Sequence, residues 1–161
     1  MSDPNFSQSS EDNIRVADVL DRIADLLEFK DDNPFKVRSY RLAAGAVREM
    51  SQSVAEIAAR GASALQEIEG VGKSISHQIV EIIRTGTSGY LESLKREIPE
   101  TVLDLMRIRG VGIKTAQLLH RDFGISSLED LKAFAEGGGL ESVQGLGDKM
   151  IRRIREEMSK L

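Results

Sequence analysis

The sequence predicts an all-α fold. Apolar residues recur at helical spacing through nearly every segment, and no run alternates with a period of two over a useful length, so no strand is expected. Aromatic residues make up only 4% of the 161 residues, while hydrophobic residues reach 40% and tryptophan is absent. We therefore expect helices packed through Leu, Ile, Val and Ala side chains.

One short phrase, apolar–any–Gly–apolar–Gly, occurs three times, and each copy leads into a helical run. The copies begin at Ile68, Ile108 and Val143, and their first glycines lie 40 and 35 residues apart. A unit that recurs at such an interval is an internal repeat. The repeat predicts three copies of one local structure.

The two glycines of each copy predict a tight hairpin between two helices, with an anion site at its mouth. The first glycine ends a helix in the left-handed conformation, which glycine adopts cheaply. The second leaves no side chain over the first backbone N–H groups of the next helix, which are unpaired and lie at the positive end of the helix dipole. A phosphate oxygen fits such a site, and the contact reads no base sequence. The predicted phosphate-binding residues are Gly70, Gly72, Lys73, Ser74, Gly110, Gly112, Lys114, Gly145, Gly147, Lys149 and Arg152. The alternative is a hairpin that only packs two helices; three copies in register favour phosphate binding.

The helices are predicted in order from caps and periodicity. The polar N-terminus, residues 1–12, is expected to be a disordered tail. A first helix follows to Phe29, and Asn33 before Pro34 marks the start of a second, which runs to Met50. A capping box formed by Ser53 and Glu56 predicts a short helix that stops at Gly61. Further helices are expected over residues 63–69, 73–85, 90–98, 100–108, 113–122, 128–136, 140–143 and 148–159.

A turn with two glycines at residues 85–89 suggests a division of the chain. The sequence thus predicts a small helical domain with the first hairpin over residues 13–86. A second helical domain, over residues 87–161, carries the second and third hairpins, which are expected to pack together.

Composition excludes several other classes. The chain has no cysteine, so it has no disulfides and no cysteine-based zinc site, and it fits the reducing cytoplasm. No apolar stretch approaches 18 residues, and no signal-peptide core is visible. The Gly72-Lys73-Ser74 triplet is not a nucleotide-binding P-loop, because the glycine that this motif requires five residues before Gly72 is replaced by Glu67.

Charge is unevenly distributed along the chain. The net charge is −4, but residues 1–32 alone carry −6 and residues 33–60 carry +3. Basic residues cluster in the last helix, at Lys149, Arg152, Arg153 and Arg155. An acidic protein that uses backbone amides can still bind DNA, although the net charge favours weak binding. The acidic residues of the first helix are expected to be a solvated face and not a docking site.

Three segments, residues 35–44, 68–74 and 108–112, resemble the N-terminal half of family X DNA polymerases, the bacterial type above all. The resemblance extends over about residues 13–158. It implies a small helical domain with one hairpin, followed by further hairpins, and in the family a catalytic palm comes next. The chain ends before a palm could begin, so it is expected not to polymerise DNA alone. It is either the DNA-holding part of a longer polymerase or a free-standing relative, which Met1 and the end at Leu161 slightly favour.

The resemblance also implies a 5′-phosphate pocket that includes Lys36 and Tyr40. In the family this domain often cleaves abasic sugars through a lysine Schiff base, and the position of that lysine is Gln78 here. An amide nitrogen cannot form an imine, and His77 is expected to be a partly exposed helix residue and not a base. No cofactor is expected, except that the resemblance implies a monovalent cation, K⁺ or Na⁺, at the backbone of Ile108, Gly110 and Gly112.

The leading hypothesis is a sequence-independent DNA-binding protein with a role in DNA repair or gap recognition, on gapped, nicked or duplex DNA. It would be cytoplasmic and associated with the nucleoid, with no membrane partner. The alternatives are a lyase for abasic 5′ ends, which Gln78 disfavours, and an interaction protein whose hairpins only pack helices. The repeated glycine pairs disfavour the latter.

Overall fold

The computed structural model describes residues 4–161, with side chains from Ser10 onward. Within this range all regular elements are helical, which confirms the predicted all-α fold. The α-helices are α1 Pro4–Phe29, α2 Pro34–Glu49, α3 Val54–Ala59, α4 Ala62–Leu65, α5 Lys73–Thr85, α6 Gly89–Glu97, α7 Ile113–Phe123, α8 Leu128–Glu136 and α9 Asp148–Ser159. Two 3₁₀ helices span Glu100–Arg107 and Gly139–Ser142. None of the helices in the described range has the length and apolar character needed to span a bilayer.

The chain divides into two compact units, and the division lies after Glu97 and not at the predicted turn over residues 85–89. Helix α6 belongs to the first unit, because Leu91 and Leu94 are buried there and Lys30, the residue after α1, pairs with Glu97 at 2.6 Å. Gly86 does make a turn, with a left-handed φ of 86°. The chain after this turn folds back onto α1, so a glycine-rich turn was a poor marker of a domain boundary.

The first unit is organised around the packing of α1 against α2. Helix α1 contributes a fully buried stripe that includes Leu20, Ile23 and Leu27. Helix α2 meets it with small side chains, since Ala43 and Ala44 are both fully buried and let the two backbones approach closely. The predicted N-cap is confirmed, because the Asn33 Oδ1 accepts a hydrogen bond from the Phe35 N–H at 3.0 Å.

Helix α1 begins at Pro4, earlier than predicted. The expectation of a disordered tail over residues 1–12 is therefore wrong from Pro4 onward, and residues 1–3 lie outside the described part of the chain. Proline is favoured in the first turn of a helix, and no glycine or further proline interrupts residues 5–12. Polar composition alone did not distinguish a helix from a disordered segment.

The acidic face of α1 is bridged to α2 and is not simply solvated. Arg48 contacts Asp18 at 2.7 Å and Asp21 at 2.9 Å. Arg41 contacts Asp25 at 2.8 Å, and further contacts reach Asp21 and Glu28. These pairs are partly exposed, so each contributes little to stability. As a result, Arg41 and Arg48 of α2 both form ion pairs with carboxylates of α1.

A buried asparagine fixes the connection between α2 and α3. Asn13 is 2% exposed, and its Nδ2 donates to the Gln52 carbonyl at 2.9 Å and to the Met50 carbonyl at 3.3 Å. Its Oδ1 accepts from the Val54 N–H at 2.8 Å. The side chain therefore satisfies two carbonyls of the connecting loop and the first N–H of α3.

The segment before each hairpin is wound more tightly than predicted. Helices were expected over residues 63–69, 100–108 and 140–143. The first is instead the single turn α4 followed by turns, and the other two are 3₁₀ helices. The physical reason is the spacing of the apolar residues, which lie three positions apart in every copy. Residues at this spacing share one face of a helix that has three residues per turn, which is the 3₁₀ helix. The three sets are Leu65, Ile68 and Val71; Leu105, Ile108 and Val111; and Leu140, Val143 and Leu146.

The second unit is built on these residues and on the helices between them. Leu105, Leu119, Leu131 and Leu140 are fully buried, from the first 3₁₀ helix, α7, α8 and the second 3₁₀ helix respectively. Helix α9 adds Ile154, which is also fully buried. The Ser127 Oγ accepts from the Asp130 N–H at 3.1 Å and caps α8 as predicted.

Candidate nucleic-acid interface

The three hairpins share one backbone structure. In each, the residue between the glycines donates its N–H to the carbonyl three residues earlier. The distances are 3.0 Å for Val71 to Ile68, 3.0 Å for Val111 to Ile108 and 3.4 Å for Leu146 to Val143. The first glycines have left-handed φ values of 83°, 92° and 94° for Gly70, Gly110 and Gly145. The repeat in the sequence is therefore a repeat in the structure.

The first two hairpins are held by close packing over their first glycine. A Cβ at Gly70 would lie 2.7 Å from the Ala43 backbone nitrogen of α2. A Cβ at Gly110 would lie 2.5 Å from the Arg153 Nη1 and 3.2 Å from the Met150 Cε, both on α9. No described atom lies within 4 Å of such a Cβ at Gly145. The first glycine of the third hairpin therefore lacks the close packing contacts that Gly70 and Gly110 have.

The helices that follow the hairpins begin without a side-chain cap. Their N-caps are Gly72, Gly112 and Gly147, and within the described residues no side chain accepts a hydrogen bond at these caps. A Cβ at any of the three would meet no described atom within 4 Å. In contrast, Asn33 and Ser53 cap their helices with side-chain oxygens. The first N–H groups of α5, α7 and α9 therefore face open space, where an anion can accept from them.

The residues predicted to form a 5′-phosphate pocket line a cavity beside the first hairpin. It has a volume of about 300 Å³. Its lining residues are Lys36, Ser39, Tyr40, Gly70, Gly72, Lys73, Ser74 and Ile75. The structure thus brings the two pocket residues of α2 next to the four predicted residues of the hairpin. Two ammonium groups, three hydroxyls and uncapped amides around one cavity suit a phosphate group.

Tyr90 of α6 was not among the predicted site residues, yet it holds Lys36. The Lys36 Nζ lies 5.1 Å from the centre of the Tyr90 ring, a cation–π distance. The rings of Tyr40 and Tyr90 are 6.1 Å apart. Hydrogen bonding to Tyr90 raises the pKa of Lys36 against a smaller opposing effect of burial, so this lysine stays charged at neutral pH. The available signal in the sequence was that only two tyrosines occur, at positions 40 and 90.

Gln78 lies behind the pocket and not in its lining. It is 8% exposed, and its Nε2 donates to the Tyr40 hydroxyl at 2.5 Å. Its Oε1 is buried with no hydrogen-bond partner among the described residues. Burial raises the pKa of Tyr40, with the bond to Gln78 opposing it. The neighbouring His77 is exposed, and its position fits a surface residue.

The basic residues of α9 line a groove in the second unit. The groove has a volume of about 320 Å³ and is formed by Lys149, Arg152, Arg153 and Glu156. Lys149 and Arg152 are exposed, as is Lys114 at the start of α7. The predicted phosphate-binding side chains of the second and third hairpins are therefore accessible. Asp148 occupies the first position of α9, which places a carboxylate at the mouth of the third hairpin.

The carbonyls implied as cation ligands have spare capacity. The Ile108 oxygen accepts from the Val111 N–H, and the Gly112 oxygen accepts from the Ala116 N–H, both at 3.0 Å. A carbonyl oxygen has two lone pairs, so each can still coordinate an ion. Among the described residues no group of three or more His, Asp or Glu side chains could hold a metal.

Each of the two units contains a match to a family of helix-hairpin-helix domains. Residues 11–88 match the family described as helix-hairpin-helix domain, and residues 102–160 match the SAM-like helix-hairpin-helix tandem. Over 140 residues the chain is 33% identical to the DNA polymerase/3′-5′ exonuclease PolX of Bacillus subtilis (strain 168), covering 87% of this chain and 24% of that protein. Over 167 residues it is 27% identical to DNA polymerase lambda of Rattus norvegicus, covering 98% of this chain and 26% of that protein. The chain thus spans about a quarter of the length of these curated relatives.

Proposed function

We propose that this chain, a helix-hairpin-helix protein similar to the N-terminal part of family X DNA polymerases, binds DNA through the phosphate backbone and without regard to base sequence. The observation that carries the proposal is the repeated hairpin whose following helix has a glycine N-cap, no side-chain cap and open space above its first amides. A phosphate oxygen accepts from these amides and is attracted by the helix dipole. Because the amides touch only the backbone, all base sequences bind alike.

The side chains around the hairpins add positive charge to this contact. Lys73, Lys114, Lys149 and Arg152 are all exposed at or just after the hairpin glycines. The acidic side chains of α1 do not oppose DNA directly, because several of them are engaged with Arg41 and Arg48. A net charge of −4 is thus compatible with a locally basic binding surface.

Gly112→Val tests the role of the amides. The residue has φ −89° and ψ −178°, an extended conformation open to any residue, and a new side chain meets no described atom. Valine would cover the first amides of α7 and should weaken DNA binding by about two- to thirtyfold, the value of one helix-terminus contact. Fluorescence anisotropy with a labelled duplex measures the change.

Two controls accompany this variant. Circular dichroism should show unchanged helical content. Gly147→Val is the matched variant at the third hairpin, where Asp148 already reduces the attraction for phosphate, and its effect should be smaller. If Gly112→Val binds DNA as tightly as the parent, the amides do not hold phosphate.

The finer part of the proposal is a preference for gapped or nicked DNA with a 5′-phosphate, in a repair or gap-recognition role. The cavity beside the first hairpin combines Lys36, Tyr40 and the amides after Gly72, which together suit a terminal phosphate. A protein with this function would act with the DNA in the nucleoid. Such a chain could work alone or as the DNA-holding part of a longer polymerase.

We expect no abasic-sugar lyase activity from this chain, because Gln78 stands where the resemblance places the nucleophile. Borohydride trapping on 5′-incised abasic DNA should give no covalent adduct. In a separate binding measurement, the chain should bind gapped DNA with a 5′-phosphate more tightly than the same DNA with a 5′-hydroxyl. Gln78→Lys should introduce a trace of adduct, since burial lowers the pKa of the new amine. An adduct with the parent chain that disappears in Lys73→Ala would place the protein among the lyases.

We also propose a monovalent cation between the second hairpin and a DNA phosphate, held by the carbonyls of Ile108, Gly110 and Gly112. Its support is the spare coordination capacity of the Ile108 and Gly112 oxygens. Replacing KCl by tetramethylammonium chloride at constant ionic strength should weaken binding of the parent. Equal affinity in the two salts would exclude the cation.

A further inference from the structure

The guanidinium group of Arg153 lies directly on the second hairpin. A Cβ built at Gly110 would be 2.5 Å from its Nη1 and 3.5 Å from its Cδ. The side chain therefore crosses from α9, the helix of the third hairpin, to the glycine that begins the second. This contact joins Gly110 and Arg153, which belong to two copies of the repeat and lie more than 40 residues apart in the chain.

Arg153 has no anionic partner among the residues that the structure describes. Three arginines that are more exposed than Arg153 do have carboxylate partners: Arg41 contacts Asp25, Arg48 contacts Asp18, and Arg155 pairs with Glu141. Arg153 is half-buried and has five N–H donors to satisfy. Glu156 shares its groove without pairing to it. A half-buried guanidinium group held in this way is prepared for an anion that the protein does not supply.

The Arg153 guanidinium group lies close to the uncapped N-terminus of α7. Gly110 and the N-cap Gly112 are two residues apart, so their Cα atoms are separated by at most about 7 Å. A single phosphodiester group can therefore accept from the first amides of α7 and from a guanidinium beside Gly110. Arginine adds a full positive charge and two parallel N–H groups to the donors that the helix terminus already presents.

We infer that Arg153 is a phosphate ligand of the second hairpin, which forms one composite site with the amides of α7. The inference rests on the proposed DNA binding and deepens it. In this arrangement the third hairpin, besides its own weaker phosphate contact, positions α9 so that Arg153 reaches the second hairpin. That role agrees with its own features, a half-buried Leu146, an uncovered Gly145 and a carboxylate at Asp148.

A double-mutant cycle on DNA affinity tests whether the two groups hold the same phosphate. The full chain is measured as parent, Gly112→Val, Arg153→Gln and the double variant, by anisotropy with a labelled 20-base-pair duplex. Each single variant should weaken binding, Arg153→Gln by roughly five- to tenfold. The double variant should bind within about twofold of the weaker single variant, because the shared phosphate contact can be lost only once.

Arg152→Gln is the matched control, since Arg152 lies in the same groove but does not contact Gly110. Its effect should multiply with that of Gly112→Val. Arg153→Gln should also lower the salt slope by about 0.9 in the parent and leave it unchanged in the Gly112→Val background. Thermal unfolding of each variant shows whether the fold around α9 is retained. If Arg153→Gln has a clearly lower melting temperature than the parent, Arg153→Lys replaces it in the cycle, because lysine keeps the charge and the aliphatic part of the side chain but not the paired N–H groups of the guanidinium.

The outcomes separate the inference from the function on which it rests. If the effects of Gly112→Val and Arg153→Gln multiply, or if Arg153→Gln binds like the parent, Arg153 is not part of the site at the second hairpin and DNA binding by the amides still stands. If Gly112→Val has no effect on affinity, the proposed function itself fails.

Discussion

Replacing Gly70 by alanine should destabilise the first unit by roughly 2–6 kcal/mol. The residue has a φ of 83°, which costs an L-residue about 1–3 kcal/mol. The new Cβ would also lie 2.7 Å from the Ala43 nitrogen and 2.9 Å from the Leu42 Cβ. The first of these is backbone of α2, which cannot move aside as a flexible side chain could, so overpacking adds about 1–3 kcal/mol.

Thermal unfolding followed by circular dichroism measures this effect, which should lower the melting temperature by roughly 10–30 °C. Gly72→Ala is the matched control. It lies two residues away, with a φ of −97° and no described atom near its Cβ position, so its melting temperature should stay close to that of the parent. Equal melting temperatures for the two variants would show that the first hairpin does not pack on α2 as the structure describes.

Local signals in the sequence were sufficient for the hairpins and most of the helix ends. Glycine pairs, N-cap residues such as Asn33 and Ser127, and the proline at position 34 each act within a few residues, so their effect can be predicted without knowing the rest of the fold. The structure confirms the start of α2 and α8 at these caps, and it confirms the left-handed glycines of all three hairpins.

The 3₁₀ segments could also have been predicted, but the wrong period was applied. The residues Leu105, Ile108 and Val111 are three apart, and the corresponding i to i+3 hydrogen bonds measure 3.3 Å and 3.0 Å. A helical period of 3.6 fits such a short run almost as well. Only the recurrence of this spacing before all three hairpins distinguishes a 3₁₀ helix from an α-helix here.

Contacts between distant residues could not be predicted from local pattern. Tyr90 reaches Lys36 because α6 folds back onto the first unit, and Arg153 reaches Gly110 because α9 crosses the second hairpin. Neither residue lies in a motif. The same limit explains the misplaced domain boundary, since the position of α6 is decided by burial of Leu91 and Leu94 and not by the turn that precedes it.

Ionic strength should have the largest effect on the proposed activity. If the three hairpins and their basic side chains neutralise about four to six phosphates, log K should fall against log salt with a slope of about −4 to −5. An increase from 50 to 200 mM salt would then weaken binding by roughly 250- to 1000-fold. At physiological salt the dissociation constant should lie in the range of about 10⁻⁴ to 10⁻⁶ M that is typical of non-specific binding.

The most direct test of backbone recognition is this salt titration carried out on two duplexes of equal length and unrelated sequence. Contacts from amides and basic side chains to phosphates depend on salt and not on bases, so the two lines of log K against log salt should coincide with a slope of about −4 to −5. A tenfold preference for one sequence, or an affinity that does not change with salt, would contradict the account.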